Sequence, residues 1–164
     1  MEDAGSRAIE AQDFAVLDLV PRSLVVTDAD VERPGPRILY VNQAFTSMTG
    51  YSRSEVLGRS PRFLQGPLTN RGVLDHVRRQ VRDGRSVRAE AINYKKDGTP
   101  FVMRWTIAPV HGPTGEVTAF IAVQEDVSEI APTEKIQRLS HRAMHQSSSL
   151  VVAANVDGRV EYVN

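Results

Sequence analysis

Apolar residues recur along this chain with two different periods. Ile9, Phe14, Leu17 and Val20 are separated by polar residues, which predicts a short amphipathic helix over 8–20, stopped by Pro21. Residues 23–28, Ser-Leu-Val-Val-Thr-Asp, predict a strand, and residues 37–41 a second; the stretch 31–36 between them is a charged, proline-rich loop. Asn42 and Gly50 suit the cap and the terminator of a short helix. Ser52 and Glu55 have capping-box spacing, and Gly58 closes that small helix. Ser60 followed by Pro61 starts another, because the amide that proline lacks would have no partner in a first turn. Asn70 caps a longer helix carrying Val73, Leu74, Val77 and Val81, ended by Gly84. The period then changes to two, and strands are predicted over 86–95, 100–110 and 117–126. Asp97-Gly98 marks a tight turn between the first pair, and residues 112–115 mark a second hairpin. Two strands, short helices, one longer helix and three antiparallel strands make an α+β plan.

The C-terminal part has a different character. Ile136, Leu139 and Ala143 give residues 134–146 a helical pattern of heptad-like spacing, in a run too short to establish a coiled coil. Residues 150–164 then repeat an earlier pattern. Leu-Val-Val followed by Arg-Val-Glu-Tyr-Val-Asn matches Leu-Val-Val at 24–26 and Arg-Ile-Leu-Tyr-Val-Asn at 37–42. The expected organisation is a helical cap at 1–21, a globular domain at 22–128, a helical linker at 129–148 and the truncated start of a second such domain at 149–164. Two strands alone lack a core, so that start should fray or borrow a partner.

Strand alternation sorts the side chains of the three long strands. Val87, Ala89, Ala91 and Asn93 share one face; so do Phe101, Met103, Trp105 and Ile107, and Thr118, Phe120, Ala122 and Gln124. Asn93 and Gln124 are thus amides on faces otherwise small or apolar. A buried amide left unpaired costs roughly 1 to 3 kcal/mol, so each needs a partner. That partner is a planar heterocycle with imide and carbonyl groups, or else the other amide, buried water or backbone. The opposite face of the last strand, Val117, Ala119, Ile121 and Val123, is apolar as well and must be covered, by the N-terminal helix or by a second copy of the chain.

Composition narrows the chemistry. Twenty basic and twenty acidic residues give a net charge of +0, so no net field draws the chain to nucleic acid or an anionic membrane. No apolar run approaches the roughly 18–20 residues of a membrane span, and the acidic N-terminus lacks a signal-peptide layout; a cytoplasmic location is expected. The absence of cysteine removes disulfides, thiolate metal sites and thiol nucleophiles. His141 and His145 have i, i+4 spacing but no third ligand, and metal: none is the expectation. No constellation for catalysis is present, so a non-enzymatic module is expected, with any catalysis left to a C-terminal effector such as a kinase or cyclase.

Residues 58–67, Gly-Arg-Ser-Pro-Arg-Phe-Leu-Gln-Gly-Pro, closely resemble the signature of LOV domains, the flavin-binding blue-light branch of the PAS family. The resemblance runs from about Leu24 to Ser128 and includes Val-Val-Thr-Asp at 25–28, Thr-Gly-Tyr-Ser-Arg at 49–53 and Glu-Val-Leu-Gly-Arg at 55–59. Arg78, Asn93-Tyr94 and Val123-Gln124 follow at the family's distances. It implies a five-stranded antiparallel PAS sheet with short helices on one face, plus N- and C-terminal flanking helices. It implies FMN held without a covalent bond: Arg62 and Arg78 on the phosphate, Gln65 on the ribityl chain, Asn93 on the pyrimidine edge and Gln124 beside N5 and O4. Val25, Thr27, Leu64, Val77, Trp105, Ile107 and Ala122 would line the ring pocket, and Glu55 and Lys96 match a surface ion pair of the family.

Three positions depart from the family. Pro61 stands where the reactive cysteine would be, so the cysteinyl adduct cannot form. Ser60 replaces the usual asparagine, and Met103 replaces a second asparagine on the pyrimidine edge. Losing that amide removes a hydrogen bond worth roughly 0.5 to 1.5 kcal/mol, about tenfold in affinity at most. The resemblance therefore implies a sensory module of a bacterial-type signalling protein that answers blue light or redox state by flavin reduction, with Trp105 and Tyr94 as candidate electron donors. Gln124 would alter the last strand, and 126–129 would pass the change to the helix at 134–146 and to downstream PAS and effector domains. A homodimer through the outer sheet face and flanking helices is expected. The alternative is a flavin-free PAS domain acting in dimerisation and signal transmission, or binding another small molecule. Pro61 and Met103 favour it; Arg62, Gln65, Arg78, Asn93 and Gln124 argue against it.

Overall fold

Strand pairing arranges the chain into a five-stranded antiparallel sheet. β1 (Ser23–Asp28) lies between β2 (Ile38–Val41) and β5 (Val117–Asp126), and β4 (Pro100–His111) and β3 (Val87–Tyr94) extend the sheet from β5. The computed structural model describes residues 16–129 apart from Arg33, and the backbone of 152–154 and 160–163. The predicted helix over 8–20 is described only from residue 16, where 16–19 form a 3-10 turn; the predicted helix over 134–146 lies outside the described residues.

Between β2 and β3 the chain crosses one face of the sheet as α1 (Gln43–Thr49), α2 (Arg53–Val56), a 3-10 helix (Pro61–Leu64) and α3 (Arg71–Arg82). The expected caps form. Asn42 accepts from Phe45 N–H and Asn70 from Val73 N–H, and at the start of α2 Glu55 accepts from the Ser52 N–H and hydroxyl. Gly50 ends α1 at φ 78°, a conformation that costs glycine nothing. Ser60 behaves otherwise. It precedes the 3-10 helix, but its side chain makes no capping bond, and its hydroxyl is buried without a partner. Phe45, Val56 and Leu64 from these elements pack on Val25, Ala91, Phe101, Met103 and Trp105 of the sheet. Burial of each large side chain contributes about 1.5–3 kcal/mol.

Asn42 joins the flanking segment to the domain. Fully buried, its Oδ1 accepts from Leu24 N–H at 2.9 Å and Phe45 N–H at 3.1 Å. Its Nδ2 donates to the carbonyls of Leu17, Val20 and Arg22. Asp18 adds a second fastening, accepting from Arg53 at 2.8 Å and from Gln43 N–H at 3.2 Å. Burial disfavours the Asp18 carboxylate, yet its bonds to Tyr40 and Arg53 hold its pKa below the ordinary value, while burial and Asp18 push Tyr40 up to about 12. Leu17 packs against the cluster of Val26, Tyr40 and Ala119, so the outer apolar face is covered at that point by the protein's own N-terminal flank. No helix among the described residues is long and apolar enough to cross a membrane.

A second hairpin, β6 (Val152–Ala154) with β7 (Val160–Val163), repeats the geometry of β1 with β2. Val25 pairs with Val41, Val26 with Tyr40, and Thr27 with Ile38 across an irregularity after Val26. Val152 pairs with Val163, Ala153 with Tyr162, and Ala154 with Val160 across an irregularity after Ala153.

Candidate functional site

The inner face of the sheet and the short helices enclose a cavity of about 170 Å3. A single water needs on the order of 10–15 Å3 on this measure, so the space suits an organic ligand rather than one solvent molecule. Each strand contributes alternate residues, as its pleat requires. β1 supplies Val25 and Thr27, β3 Asn93, β4 Met103, Trp105 and Ile107, and β5 Ala122 and Gln124. The 3-10 helix and its flanks bring Ser60, Arg62, Leu64 and Gln65, and α3 brings Val77 and Arg78 on successive positions. All fourteen residues named from the resemblance therefore line one space, although they are drawn from six elements spread over a hundred positions. Pro61 lines it too, at the first position of the 3-10 helix.

The polar groups converge from two directions. Asn93, 3% exposed, uses its Nδ2 on the Ala91 carbonyl at 3.3 Å, which leaves Oδ1 as an open acceptor among the described residues. Gln124, 6% exposed, uses its Oε1 to accept from the Ser23 hydroxyl at 3.2 Å, which leaves Nε2 as an open donor. Both amides therefore retain hydrogen-bonding capacity inside an otherwise apolar wall. Arg78 lies on the solvent side, 3.4 Å from Asp75. Arg62 and Arg78 both line the cavity, and a guanidinium suits an anionic ligand through paired, charge-assisted donors.

Several lining residues were missed in sequence. Val31 and Pro36 come from the loop that separates β1 from β2, and Leu74, Val81 and Phe120 complete the wall. Phe120 could have been found, because it shares strand parity with Ala122 and Gln124; nothing local in 31–36 marks that loop as a rim. Tyr94, one of the two candidate electron donors, does not line the cavity. Its ring packs over Gly66 and its hydroxyl accepts from Leu68 N–H at 3.1 Å, closing the turn before α3. Trp105, the sole tryptophan of the chain, does line it. The Glu55–Lys96 pair forms at 2.5 Å on the surface. Lys96 Nζ and the Ser52 groups hold the Glu55 pKa down to about 2. No cluster of metal ligands occurs among the described residues, and His141 and His145 lie outside them.

A family model described as a PAS domain matches residues 22–129. A blue-light-activated histidine kinase of Rhizobium johnstonii is 38% identical over 145 residues, covering 86% of this chain and 41% of that protein. Protein TWIN LOV 1 of Arabidopsis thaliana is 41% identical over 113 residues, covering 68% and 28%. The LOV domain of the Erythrobacter litoralis EL346 blue-light activated histidine kinase superposes with a TM-score of 0.62 at 34% identity, covering 66% of this chain and 98% of that one.

The chain belongs to the PAS family, in its LOV branch. A further solved structure, of a light-oxygen-voltage domain studied with a flavin analogue, has a TM-score of 0.67 at 31% identity and covers 82% of this chain and 98% of that one. The LOV domain thus accounts for the sheet and its helical face, whereas the chain spans less than half the length of these curated relatives. It is a LOV domain with proline in place of a thiol, in a chain that contains no cysteine.

Proposed function

We propose that this LOV domain binds FMN noncovalently and serves as a sensory module that answers blue light or redox state without a cysteinyl bond. One observation carries the reading: an open apolar cavity in which two amides keep free hydrogen-bonding groups and two arginines stand on the same wall. An isoalloxazine ring with an imide N–H and adjacent carbonyls complements that set, and a phosphate complements the arginines. When bound, the flavin supplies blue-light absorption and reversible reduction coupled to a proton at N5.

The chain's own residues do the rest. Asn93 Oδ1 would accept from the imide, and Arg62 and Arg78 would hold the anionic end. Gln124 Nε2 would be available to the polar edge of the ring. A turn of the Gln124 amide that brought its oxygen inward would withdraw the acceptor that Ser23 now uses. Trp105, which lines the cavity, is the candidate electron donor favoured over Tyr94, which does not line it. Pro61 covers the position from which a thiol would otherwise attack.

The change leaves through the end of β5. Asp126 accepts from the Ser128 hydroxyl and N–H, and Lys95 lies 3.1 Å away. Ser128 Oγ in turn accepts from Val102 N–H, and Val127 N–H donates to the Val102 carbonyl. This clasp sits where the domain meets the linker. The antiparallel pairing of β6 with β7 supports reading 149–164 as the opening of a second PAS domain, although it runs one residue out of step with the Leu-Val-Val repeat. The exposed Val110 and Val123 support a homodimer through the outer face, and the kinase relatives support a downstream effector. A soluble cytoplasmic setting fits these parts.

The test is an absorption spectrum of the purified chain, with and without added FMN, followed under blue light with and without a reductant. Flavin bands that bleach with a reductant and recover in air are expected. A protein that takes up no flavin would be the flavin-free PAS domain that Met103 and Pro61 favour.

A further inference from the structure

Gly35 lies outside the motif that marks the cavity, in the loop between β1 and β2. The base of that loop is held by Asp28, whose Oδ1 accepts from Arg37 N–H at 2.9 Å and Asp30 N–H at 3.3 Å, and whose N–H donates to the Arg37 carbonyl. Asp30 Oδ1 then accepts from Glu32 N–H at 3.1 Å. Val31 packs with Val81 and Phe120, and Glu32 reaches Arg82 of α3 at 3.5 Å. These ties carry the loop across the rim of the cavity, where Val31 and Pro36 become part of its wall.

At Gly35 the backbone meets the far side of the cavity. A Cβ added there would stand 3.1 Å from Arg62 Nε and from Ser60 Oγ, and 3.2 Å from Arg62 Nη2. Its φ of +106° is also one that side-chain-bearing residues rarely adopt. Two separate demands for glycine thus coincide, one from the backbone and one from the space that the guanidinium fills. A long arginine side chain loses rotamer freedom when it grips a ligand, and a wall that holds it beforehand reduces that loss.

We propose that Gly35 is a positioning residue for Arg62: its bare backbone packs on the guanidinium, aims it at the anionic end of the ligand, and so sets a preference for a phosphorylated flavin over uncharged riboflavin. The proposal rests on the flavin reading above. It goes beyond that reading because it assigns the preference to a loop outside the LOV signature.

The test titrates FMN and riboflavin, by flavin fluorescence, into the purified chain and into Gly35→Ala, Arg62→Gln and the double variant. Gly35→Ala should weaken FMN roughly tenfold and riboflavin less than about twofold; Arg62→Gln should do the same, and the double variant should lose no further preference. Equal losses for both flavins, or independent losses that add in the double variant, overturn the proposal. If circular dichroism shows that Gly35→Ala does not fold, Gly35→Asn replaces it under the same criteria, since asparagine tolerates positive φ better. A wild-type chain that binds neither flavin sinks the flavin reading and this inference with it. A wild type that prefers FMN, beside a Gly35→Ala that keeps the preference, sinks the inference alone.

Discussion

The hydroxyl of Ser23 donates to Gln124 Oε1 at 3.2 Å, across the register in which β1 and β5 place the two residues directly opposite each other. Both are buried, and Gln124 also faces Trp105 across β4. The residues on either side of Ser23 are bonded to Asn42, Arg22 through its carbonyl and Leu24 through its N–H. An amide on the cavity wall is therefore two steps from the side chain that holds the N-terminal flank.

Ser23→Ala should lower unfolding free energy by about 1 kcal/mol, as expected for one buried hydrogen bond. It should also uncouple the flank from the cavity. Hydrogen exchange of residues 16–24 in the flavin-loaded chain should differ between dark and light in the wild type, and this difference should shrink in the variant. A light-induced difference of unchanged size in Ser23→Ala would exclude this route.

Pro61→Cys should place a thiol on the cavity wall at the position where the LOV family carries one. Blue light should then bleach the bound flavin without added reductant, with recovery in the dark, and mass spectrometry of the trapped state should find flavin joined to Cys at 61. Bleaching that still needs a reductant would show that the 3-10 helix does not present position 61 to the ring.

Gly66→Ala tests the turn before α3. A Cβ there would run into the Tyr94 ring, which is itself held by the bond from Leu68 N–H. A loss of about 1–3 kcal/mol is expected from overpacking, measured by chemical denaturation. Tyr94→Ala should recover part of it, because the obstructing ring has gone; a double variant no better than the sum of the singles would refute the clash.

The clasp at the end of β5 should respond to acid. Burial opposes the charge on Asp126, but the Ser128 hydroxyl, the Ser128 N–H and Lys95 outweigh it and keep its pKa below the ordinary carboxylate value. A folded pKa that is lowered means stability present above about 3.9, the unfolded value, and lost as pH falls through the folded one. Asp126→Asn should therefore flatten the loss of stability as pH falls below about 4, and it should cost on the order of 1 kcal/mol at neutral pH. Urea midpoints measured from pH 3 to 7 would show it; parallel curves for the two proteins would rule the clasp out as the source.

Much of this was legible along the chain. Alternation placed Asn93, Met103, Trp105 and Gln124 on the inner faces, and cap residues located the helix starts at Asn42, Ser52 and Asn70, because both signals depend only on neighbours a few positions away. The motif at 58–67 carried the resemblance to the LOV branch. Ser60 does precede the 3-10 helix, but its side chain joins the cavity wall instead of capping: a serine serves either role, and only the packing distinguishes them. The sequence likewise does not show that the Tyr94 ring lies over Gly66, a contact between residues 28 positions apart.

By itself, the order of residues determined the strands, the helix starts and the loss of thiol chemistry, since these follow from local geometry and composition; the side chains proposed to meet a flavin came from the resemblance to the LOV branch. Only the folded chain decided that loop residues Val31, Gly35 and Pro36 reach the rim, that Ser23 holds Gln124, and that the cavity stays open beside Pro61 and Met103. Those facts depend on contacts between segments far apart in sequence, and no periodicity or short motif encodes where two distant segments meet.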